Sequence, residues 1–216
     1  MIDCRDLGTL PVAEAASLQR TYVERRRSGA IEDIVLLVQH PPTYTIGRTG
    51  SLEHVLIAET ERSRRGIDLL HLDRGGDVTY HDPGQAIAYP IIDLRLRGGD
   101  IHRYLRDLEA AILETLGVFG VAGETDGRYT GVWLGTRKVA QIGVKVSGGV
   151  TSHGVAINVS SDLANWSGII PCGIRERGIV NLDQIVGPHV TVGEVRLVLA
   201  THLCARLAQH LQVLRS

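Results

Sequence analysis

The distribution of glycine is the feature of this sequence that most restricts its fold. The chain has 216 residues, 25 of them glycine, and most of the glycines lie between Gly47 and Gly187. Glycine weakens the interior of helices and strands but permits the backbone of tight turns. The middle of the chain is therefore predicted to consist of short strands joined by tight turns.

Three segments have the apolar spacing of helices. The first covers residues 12–28 and stops at Gly29, and the second covers residues 101–116 and stops at Gly117. A third helix is predicted to begin at Thr191, because Thr191 and Glu194 have the spacing of a capping box. The apolar face of this third helix consists of Val195, Leu199, Leu203, Leu207 and Leu211.

Short apolar runs between turn residues predict the strands. The predicted strands cover residues 33–38, 67–72, 78–80, 86–92, 131–134, 139–146 and 155–159. Strands fill the middle of the chain, while helices lie early, centrally and late, which is not a regular strand–helix alternation. The sequence therefore predicts an α/β or α+β fold, with a mixed β-sheet flanked by helices in one domain over residues 1–216.

Composition excludes several classes of function. The net charge is −1, the pI is about 6.8, and the only aromatic residues are one Phe, two Trp and six Tyr. Such a chain has no electrostatic reason to bind nucleic acid or an anionic membrane. No apolar run approaches the ~20 residues that cross a bilayer, and the first residues do not resemble a signal peptide, so a cytoplasmic protein is expected. The absence of P-loop, dinucleotide-binding and serine-esterase motifs argues against those three chemistries.

The three cysteines are too few and too widely spaced for a disulfide framework or a zinc knuckle. Cys172 lies between Pro171 and Gly173, a sharp turn that leaves no bulky neighbour over the sulfur. Cys172 is therefore predicted to be presented rather than buried, which makes it a candidate nucleophile, with a structural cysteine as the alternative. Cys204 is predicted to lie in the core on the last helix, and Cys4 is predicted to lie near a mobile terminus without a role.

Lysine is rare in this chain, since Lys138 and Lys145 are the only lysines among 23 basic residues. Lysine can lose its proton at a suitable site, whereas arginine stays charged. A lysine beside a cysteine favours the thiolate and can pass a proton to a leaving group. Lys138 opens a predicted strand and is a candidate for this role, although a surface lysine is the alternative. Lys145 is predicted to be a surface residue.

A glycine pair and two histidines complete the candidate site. Residues 74–76 (Arg-Gly-Gly) lie between two predicted strands, where two glycines allow the backbone to approach a ligand closely. An ordinary hairpin turn is the alternative. His81 follows a strand and His153 precedes one, and either is a binding residue or a structural histidine. A metal site that combines them with Cys172 is disfavoured because no pair of ligands has short spacing.

Four blocks of the sequence carry motifs that occur together. They are residues 74–85 (RGGDVTYHDPGQ), 138–143 (KVAQIG), 153–158 (HGVAIN) and 171–173 (PCG). In sequence and in order they resemble the lipoate–protein ligase B family, the octanoyl-[acyl carrier protein]:protein octanoyltransferases. The resemblance covers residues 39–182, and four ordered blocks are far more specific than any single motif.

The resemblance implies a fold and a set of site residues. The fold is the α/β fold shared with biotin protein ligases and lipoate ligase A. Cys172 is implied to be the acyl-thioester nucleophile and Lys138 the partner that favours its thiolate and shuttles protons. The residues implied to line the acyl site are Arg74, Gly75, Gly76, Asp77, Val78, Thr79, Tyr80, His81, Gln141, Ile142, Gly143, His153, Gly154, Val155 and Ala156.

The resemblance also implies a reaction and its partners. An octanoyl group moves from octanoyl-acyl carrier protein to Cys172 and then to a lysine of a lipoyl domain. The implied acceptors are the lipoyl domains of 2-oxoacid dehydrogenase complexes and the glycine cleavage H protein. No ATP and no metal are implied, because the incoming thioester is already activated.

One residue departs from the family pattern, and two other functions remain open. Asp82 stands where the family typically has glycine, which adds a carboxylate beside His81. An ATP-dependent lipoate or biotin ligase of the same fold is the main alternative, although it needs a nucleotide site and need not use a cysteine. A protein that binds fatty acyl groups without transferring them is the third interpretation.

Arginine clusters are candidates for docking the partner proteins, which are typically acidic in this family. A solvated charged surface is the alternative for each cluster. The clusters consist of Arg25, Arg26 and Arg27, of Arg62, Arg64 and Arg65, and of Arg95 and Arg97.

Overall fold

The computed structural model describes residues 2–174 and 177–209. The strands are β1 (Asp3–Thr9), β2 (Ile34–Gln39), β3 (Thr43–Ile46), β4 (Asp68–His71), β5 (Val78–His81), β6 (Gln85–Ile91), β7 (Glu124–Thr125), β8 (Val132–Leu134), β9 (Arg137–Ser147), β10 (Val150–Asn158) and β11 (Gly178–Ile179). The helices are α1 (Val12–Arg27), α2 (Glu59–Arg64), α3 (Ile101–Val118), α4 (Leu163–Trp166), α5 (Asp183–Val186) and α6 (Val192–Gln209).

The strands form one large sheet and one small sheet. The order in the large sheet is β1-β2-β6-β10-β9-β8-β7, and β11 pairs with β9. The β1–β2 and β11–β9 pairs are parallel and the other pairs of this sheet are antiparallel, which confirms the predicted mixed sheet. The small sheet has the order β4-β3-β5.

Helices cover both faces of the large sheet. Val35 and Leu37 of β2 share a core with α3 and α6, whereas Leu36 and Val38 pack on the opposite face with residues of α1. Successive side chains of a strand point to opposite faces, so a strand covered on both sides needs a continuous apolar run. This explains why residues 33–38 are apolar almost throughout.

The three predicted long helices are confirmed, and four strands were missed. The second helix runs one residue past Gly117, to Val118. The capping box is formed, with the amide of Thr191 donating to Glu194 (2.9 Å) and the amide of Glu194 donating to the Thr191 hydroxyl (3.2 Å). Leu211 lies outside the described residues. The missed strands are β1, whose polar residues are mostly exposed, and the short β3, β7 and β11.

The interpretation of Cys4 was wrong, whereas Cys204 packs from α6 against the main core as predicted. Cys4 lies in β1, in register with Val35 of β2, rather than in a loose end of the chain. Its sulfur lies 2.9 Å from the sulfur of Cys204, which is half-buried rather than fully enclosed in the core. The two thiols are 200 positions apart in the sequence, so spacing alone could not reveal their contact.

Two of the arginines predicted for docking are buried in ion pairs, so the docking prediction was wrong for both. Arg26 donates to Asp33 at 2.6 Å, and Arg97 lies 2.5 Å from the other oxygen of the same carboxylate. Both arginines are less than a tenth exposed. Arg95, by contrast, is exposed and bound to Asp93 (2.6 Å). Among the described residues, no helix combines the length and the apolar character that a membrane span requires.

Candidate active site

The nucleophile candidate lies on a strained turn. Cys172 forms part of a 3₁₀ turn over Pro171–Gly173, and its φ of 55° and ψ of 19° are left-handed. Left-handed backbone costs a non-glycine residue roughly 1–2 kcal/mol. Gly173, with a φ of 70°, continues the turn without that cost. The turn holds the half-buried sulfur of Cys172 at the junction of two cavities.

Lys138 approaches Cys172 from β9. Its Nζ lies 3.4 Å from the Cys172 sulfur, and the lysine is only 3% exposed. The same ammonium lies 4.8 Å from the centre of the Trp133 ring, a cation–π contact. This placement rejects the surface-lysine alternative for Lys138 and places the predicted pair side by side.

Gly131 makes room for this lysine. A Cβ at position 131 would lie 2.5 Å from the Lys138 Cε, and the glycine has a φ of 129° that other residues avoid. The amide of Gly131 donates to the buried carboxylate of Glu109 (3.0 Å), and burial raises the pKa of Glu109. The sequence reasoning missed both residues, since neither lies in a recognised block.

A narrow slot extends from Cys172 between the small sheet and strands β9 and β10. It holds about 520 Å³ of empty space, part of which is open to solvent. Its lining is mostly apolar or glycine, which suits an alkyl chain rather than a polar ligand. The lining residues are Leu72, Arg74, Gly76, Asp77, Val78, Thr79, His81, Tyr89, Gln141, Ile142, Gly143, His153, Gly154, Val155, Ala156 and Cys172.

Two residues predicted for the acyl site lie elsewhere. Tyr80 is fully buried and does not line the slot. Its ring packs against Tyr44 and Trp166 in a separate core. Gly75 lines a neighbouring groove, and its amide donates to the carbonyl of Val144 (2.8 Å). Leu72 and Tyr89 line the slot and were missed.

Arg74 places a buried positive charge beside the slot. Its guanidinium donates to the carbonyl of Thr45 (2.7 Å), to the hydroxyl of Thr45 (2.8 Å) and to the carbonyl of Gly75 (3.0 Å). Burial lowers the pKa of Arg74, and the nearby Cys172, Tyr89 and Asp77 partly offset this effect. Since arginine keeps its charge, Arg74 favours negative charge at the sulfur end of the slot.

His81, which lines the slot, and His40, whose ring packs against that of His81, are neutral. Burial lowers the pKa of His81 to about 3, and its Nδ1 donates to the Gln85 side-chain oxygen at 3.0 Å. Burial also lowers the pKa of His40 to about 4; its Nδ1 donates to the carbonyl of Leu10, and its Nε2 accepts from Tyr89. These uncharged rings keep the slot suitable for an apolar chain. Among the described residues, no group of three potential ligands is arranged to hold a metal ion.

His54 and Asp77 support the nucleophile turn. The His54 Nδ1 lies 2.5 Å from an Asp77 carboxylate oxygen, and the other oxygen accepts the amides of Ser51 (3.2 Å) and Val78 (2.8 Å). A Cβ at position 173 would lie 2.8 Å from Asp77, so glycine is required there. Asp77 was among the predicted site residues, whereas His54 was missed because it lies outside the recognised blocks.

Asp82, which replaces the family's usual glycine, does not line the slot. One of its oxygens accepts the hydroxyl of Ser161 (2.9 Å) and the amide of Asp162 (2.6 Å), and the other accepts the amide of Gly84 (3.1 Å). Burial raises the pKa of Asp82, and these hydrogen bonds partly offset that effect. The extra carboxylate therefore fastens a neighbouring loop and does not change the polarity of the acyl slot.

A second groove reaches Cys172 and Lys138 from the other side. It holds about 950 Å³ of empty space that includes open solvent. Thr49, Arg128, Tyr129 and Thr130 line it, together with the apolar side chains of α3 nearest its rim. Slot and groove meet at Cys172, so a group bound to the sulfur can lie in the slot while a second molecule approaches along the groove.

Comparison with known proteins agrees with this geometry. The family model of the lipoyl protein ligase A/B catalytic domain matches residues 11–204. The octanoyltransferase of Rubrobacter xylanophilus is 47% identical over 197 residues, which are 90% of this chain and 88% of that protein.

Solved structures share the fold at lower identity. A bi-partite lipoate protein ligase from Thermoplasma acidophilum superimposes with a TM-score of 0.74 at 21% identity, over 96% of this chain and 85% of that chain. The biotin protein ligase from Aquifex aeolicus in complex with biotin and ATP gives a TM-score of 0.59 at 13% identity, over 98% of this chain and 73% of that chain. These likenesses concern the fold alone, and they confirm the predicted biotin and lipoate protein ligase-like architecture.

Proposed function

Because the chain belongs to the lipoyl protein ligase A/B catalytic domain family, we propose that it transfers an octanoyl group from acyl carrier protein to a lysine of a lipoyl domain. Octanoyl transfer in protein lipoylation is the activity named for its relatives, and this chain is an acyltransferase of that kind. The proposal includes an acyl-enzyme intermediate on Cys172, with acyl carrier protein as the donor and a lipoyl domain as the acceptor. It also includes a single catalytic domain over residues 1–216.

The observation that carries the proposal is the contact between Lys138 and Cys172. An ammonium 3.4 Å from the sulfur stabilises a thiolate. The mouth of an apolar slot lies at the same sulfur, so the two features needed for acyl transfer meet at one atom. An ATP-dependent ligase has no need of this arrangement.

In the first step, the Cys172 thiolate attacks the carbonyl carbon of the donor thioester. A new carbon–sulfur bond forms, and the bond to the donor sulfur breaks. The donor leaves as a thiol with a proton from Lys138. Thiolate and leaving thiol are of similar stability, so this exchange needs no ATP, and we propose that the reaction uses neither ATP nor a metal.

In the second step, the amine of the acceptor lysine attacks the Cys172 thioester. A carbon–nitrogen bond forms, the carbon–sulfur bond breaks, and Cys172 returns to its thiolate. Lys138, which gave up its proton in the first step, takes the proton that the amine nitrogen loses. Proton transfer of this kind typically contributes 10²–10⁴-fold to the rate.

The oxyanion that forms in both steps needs a donor. Gly75 and Gly76 both line the groove that reaches Cys172, but the amide of Gly75 already donates to the carbonyl of Val144. The amide of Gly76 has no hydrogen-bond partner in residues 2–174 and 177–209. Gly76 lines both the slot and the groove, so we assign the oxyanion contact to it.

We assign the docking of the acidic partners to the predicted arginines that are exposed, since the buried Arg26 and Arg97 cannot contact a partner. Arg64 and Arg65 lie on the surface around Glu61, and Arg25, Arg27 and Arg95 are also exposed. Complementary charge of this kind mainly speeds association. The acceptors in the proposal are the lipoyl domains of 2-oxoacid dehydrogenase complexes and the glycine cleavage H protein.

The test is to mix the purified protein with octanoyl-acyl carrier protein and to record its intact mass. One octanoyl group is expected on the protein, on the peptide that contains Cys172, and it should leave when a lipoyl domain is added. Cys172→Ser should form no thioester. Cys4→Ser and Cys204→Ser are matched controls that should accumulate the adduct like the parent.

Three results would contradict the proposal in different ways. Normal transfer by Cys172→Ser would eliminate the thioester intermediate. Transfer from free octanoate that depends on ATP would identify a ligase. Binding of the acyl group without transfer to any lysine would leave a carrier of acyl chains.

A further inference from the structure

A second cavity lies behind the acyl slot. It holds about 660 Å³ of empty space between α1 and strands β9 and β10, part of it open to solvent. Its lining residues are Ala16, Gln19, Arg20, Val23, Glu24, Asp73, Lys145, Ser147, Ser152 and His153. His153 is the one residue that this list shares with the lining of the slot. His153 therefore lies between the two spaces and is called the partition below.

Three contacts hold this partition in place. The His153 Nε2 donates to one oxygen of Asp73 at 2.9 Å, and Lys145 binds the other oxygen of the same carboxylate at 2.6 Å. The amide of His153 donates to the side-chain oxygen of Gln19 at 2.6 Å. Lys145, which the sequence placed on the surface without a role, is thus part of a chain of polar contacts that ends at the slot wall.

The backbone of His153 is also constrained. Its φ of 56° is left-handed in the middle of β10, where extended backbone is the rule. Next to it, a Cβ at position 154 would lie 2.3 Å from the carbonyl oxygen of Ala88, so only glycine fits. Strain of this kind persists only where the surrounding structure holds it, and it concentrates at functional sites.

The partition lies away from the reacting sulfur. Lys138 reaches Cys172, whereas Lys145 fastens the residue that holds His153. The two lysines are seven positions apart on β9, and a strand rises ~3.3 Å per residue. Cys172 and His153 therefore lie towards opposite ends of the slot.

We propose that His153 closes the far end of the acyl slot and limits the length of the chain that the enzyme accepts, with Asp73 and Lys145 locking its ring. The inference rests on the proposed function, because it assumes that an acyl chain on Cys172 lies in the slot. A chain that is too long must push the ring out of its hydrogen bond or leave methylenes in water. Each methylene kept from burial lowers a binding constant about fourfold.

The test compares wild type with His153→Gly. Glycine adopts the left-handed backbone freely, so the change removes the wall without new strain. Carrier-protein thioesters of octanoate, decanoate, dodecanoate and tetradecanoate serve as donors, and the rate of adduct formation on Cys172 is followed by mass. The ratio of the dodecanoyl rate to the octanoyl rate should rise at least about tenfold in the variant, the equivalent of about two methylenes.

Further variants test separately the hydrogen bond from Asp73 that holds His153 and the second cavity behind His153. Asp73→Ala frees the ring at a half-exposed position and should raise the same ratio by a smaller factor. Ala16→Phe fills the second cavity; alone it should leave the ratio unchanged, and combined with His153→Gly it should return the ratio toward that of wild type.

The outcomes distinguish this inference from the proposed function. If wild type forms no octanoyl adduct on Cys172, the proposed function fails. If wild type forms the adduct but the chain-length profiles of wild type, His153→Gly and Asp73→Ala coincide, the inference about His153 is overturned. Should His153→Gly not fold, the profile of Asp73→Ala decides alone, and an unchanged ratio overturns the inference.

Discussion

Two ends of one slot differ in how they use a lysine of β9. The nucleophile end comprises Cys172 and Lys138, and the histidine end comprises His153, Asp73 and Lys145. Lys138 is buried and has no carboxylate within ion-pairing distance in the described part of the chain, whereas the Lys145 side chain is 32% exposed and is paired with Asp73. A cation without a counter-ion is available to a thiolate and to protons. A cation with a counter-ion serves to hold a neighbour.

Both ends also contain a strained residue. In the part of the chain that the structure describes, Cys172 and His153 are the non-glycine residues with positive φ, at 55° and 56°. Cys172 carries the proposed nucleophile, and His153 forms part of the slot wall. In our proposals the same backbone conformation serves chemistry at one end and shape at the other, and separate variants test the two roles.

The largest effect is expected at the nucleophile end. Cys172→Ser replaces the thiolate by a hydroxyl, which is a far weaker nucleophile at neutral pH. Octanoyl transfer should fall by at least about 1,000-fold, as for loss of a nucleophile in other acyl-transfer enzymes. The measurement is the rate of lipoyl-domain octanoylation, with Cys204→Ser as the control that keeps the parent rate.

Lys138→Arg tests whether the nucleophile end needs a charge or a proton carrier. Arginine keeps the positive charge but does not release a proton at neutral pH, so transfer should fall by about 100-fold. Alkylation of Cys172 by iodoacetamide, which reports the thiolate, should fall much less. Near-normal transfer in this variant would show that Lys138 acts through its charge alone.

Lowering the pH is expected to destabilise the folded protein through the histidine end. Burial lowers the pKa of His153, so the folded protein keeps the ring neutral while the unfolded chain takes up a proton below its usual value of about 6.5. The free energy of unfolding therefore falls as the pH drops from about 6.5. His153→Gln should reduce the slope of the free energy of unfolding against pH by up to about 1.4 kcal/mol per pH unit.

Urea unfolding at a series of pH values from neutral to mildly acidic checks this prediction. Ser152→Ala is the control, because it changes a neighbouring side chain that does not titrate. An identical pH dependence in wild type and His153→Gln would contradict a neutral, buried imidazole at this end of the slot.

The smallest effect is expected for Lys145→Arg. Arginine can keep the charge-assisted hydrogen bond to Asp73, and an ion pair this exposed is typically worth at most about 1 kcal/mol. Octanoyl transfer should stay within about twofold of wild type. This variant is the matched partner of Lys138→Arg, and equal losses in the two would remove the distinction between the two ends.

The sequence predicted the three long helices and most strands because their apolar periodicity is local. It could not predict β1, whose residues Asp3–Thr9 are polar and exposed and gain order by pairing with β2. Nor could it separate Arg26 and Arg97 from the exposed arginines, since a buried ion pair depends on a distant Asp33.

The site was predictable where motifs mark it and not where packing builds it. The contact between Cys172 and Lys138 was expected from the family resemblance. Gly131 and Glu109 shape the space around Lys138, but no pattern connects them to it in the sequence. Tyr80 was misplaced because a motif names consecutive residues, whereas the Tyr80 ring packs with Tyr44 and Trp166 in a separate core.

The left-handed backbone of Cys172 makes thermal stability and catalytic turnover conflicting requirements at this position. Glycine at this position would relieve roughly 1–2 kcal/mol of strain in the folded protein. The greater conformational entropy of glycine in the unfolded chain would offset part of this gain, and the proposed nucleophile would be lost. A random library selected only for survival of heating should therefore accumulate glycine at position 172, and every such survivor should be inactive. The sequence that folds most stably and the sequence that turns over substrate differ at this residue.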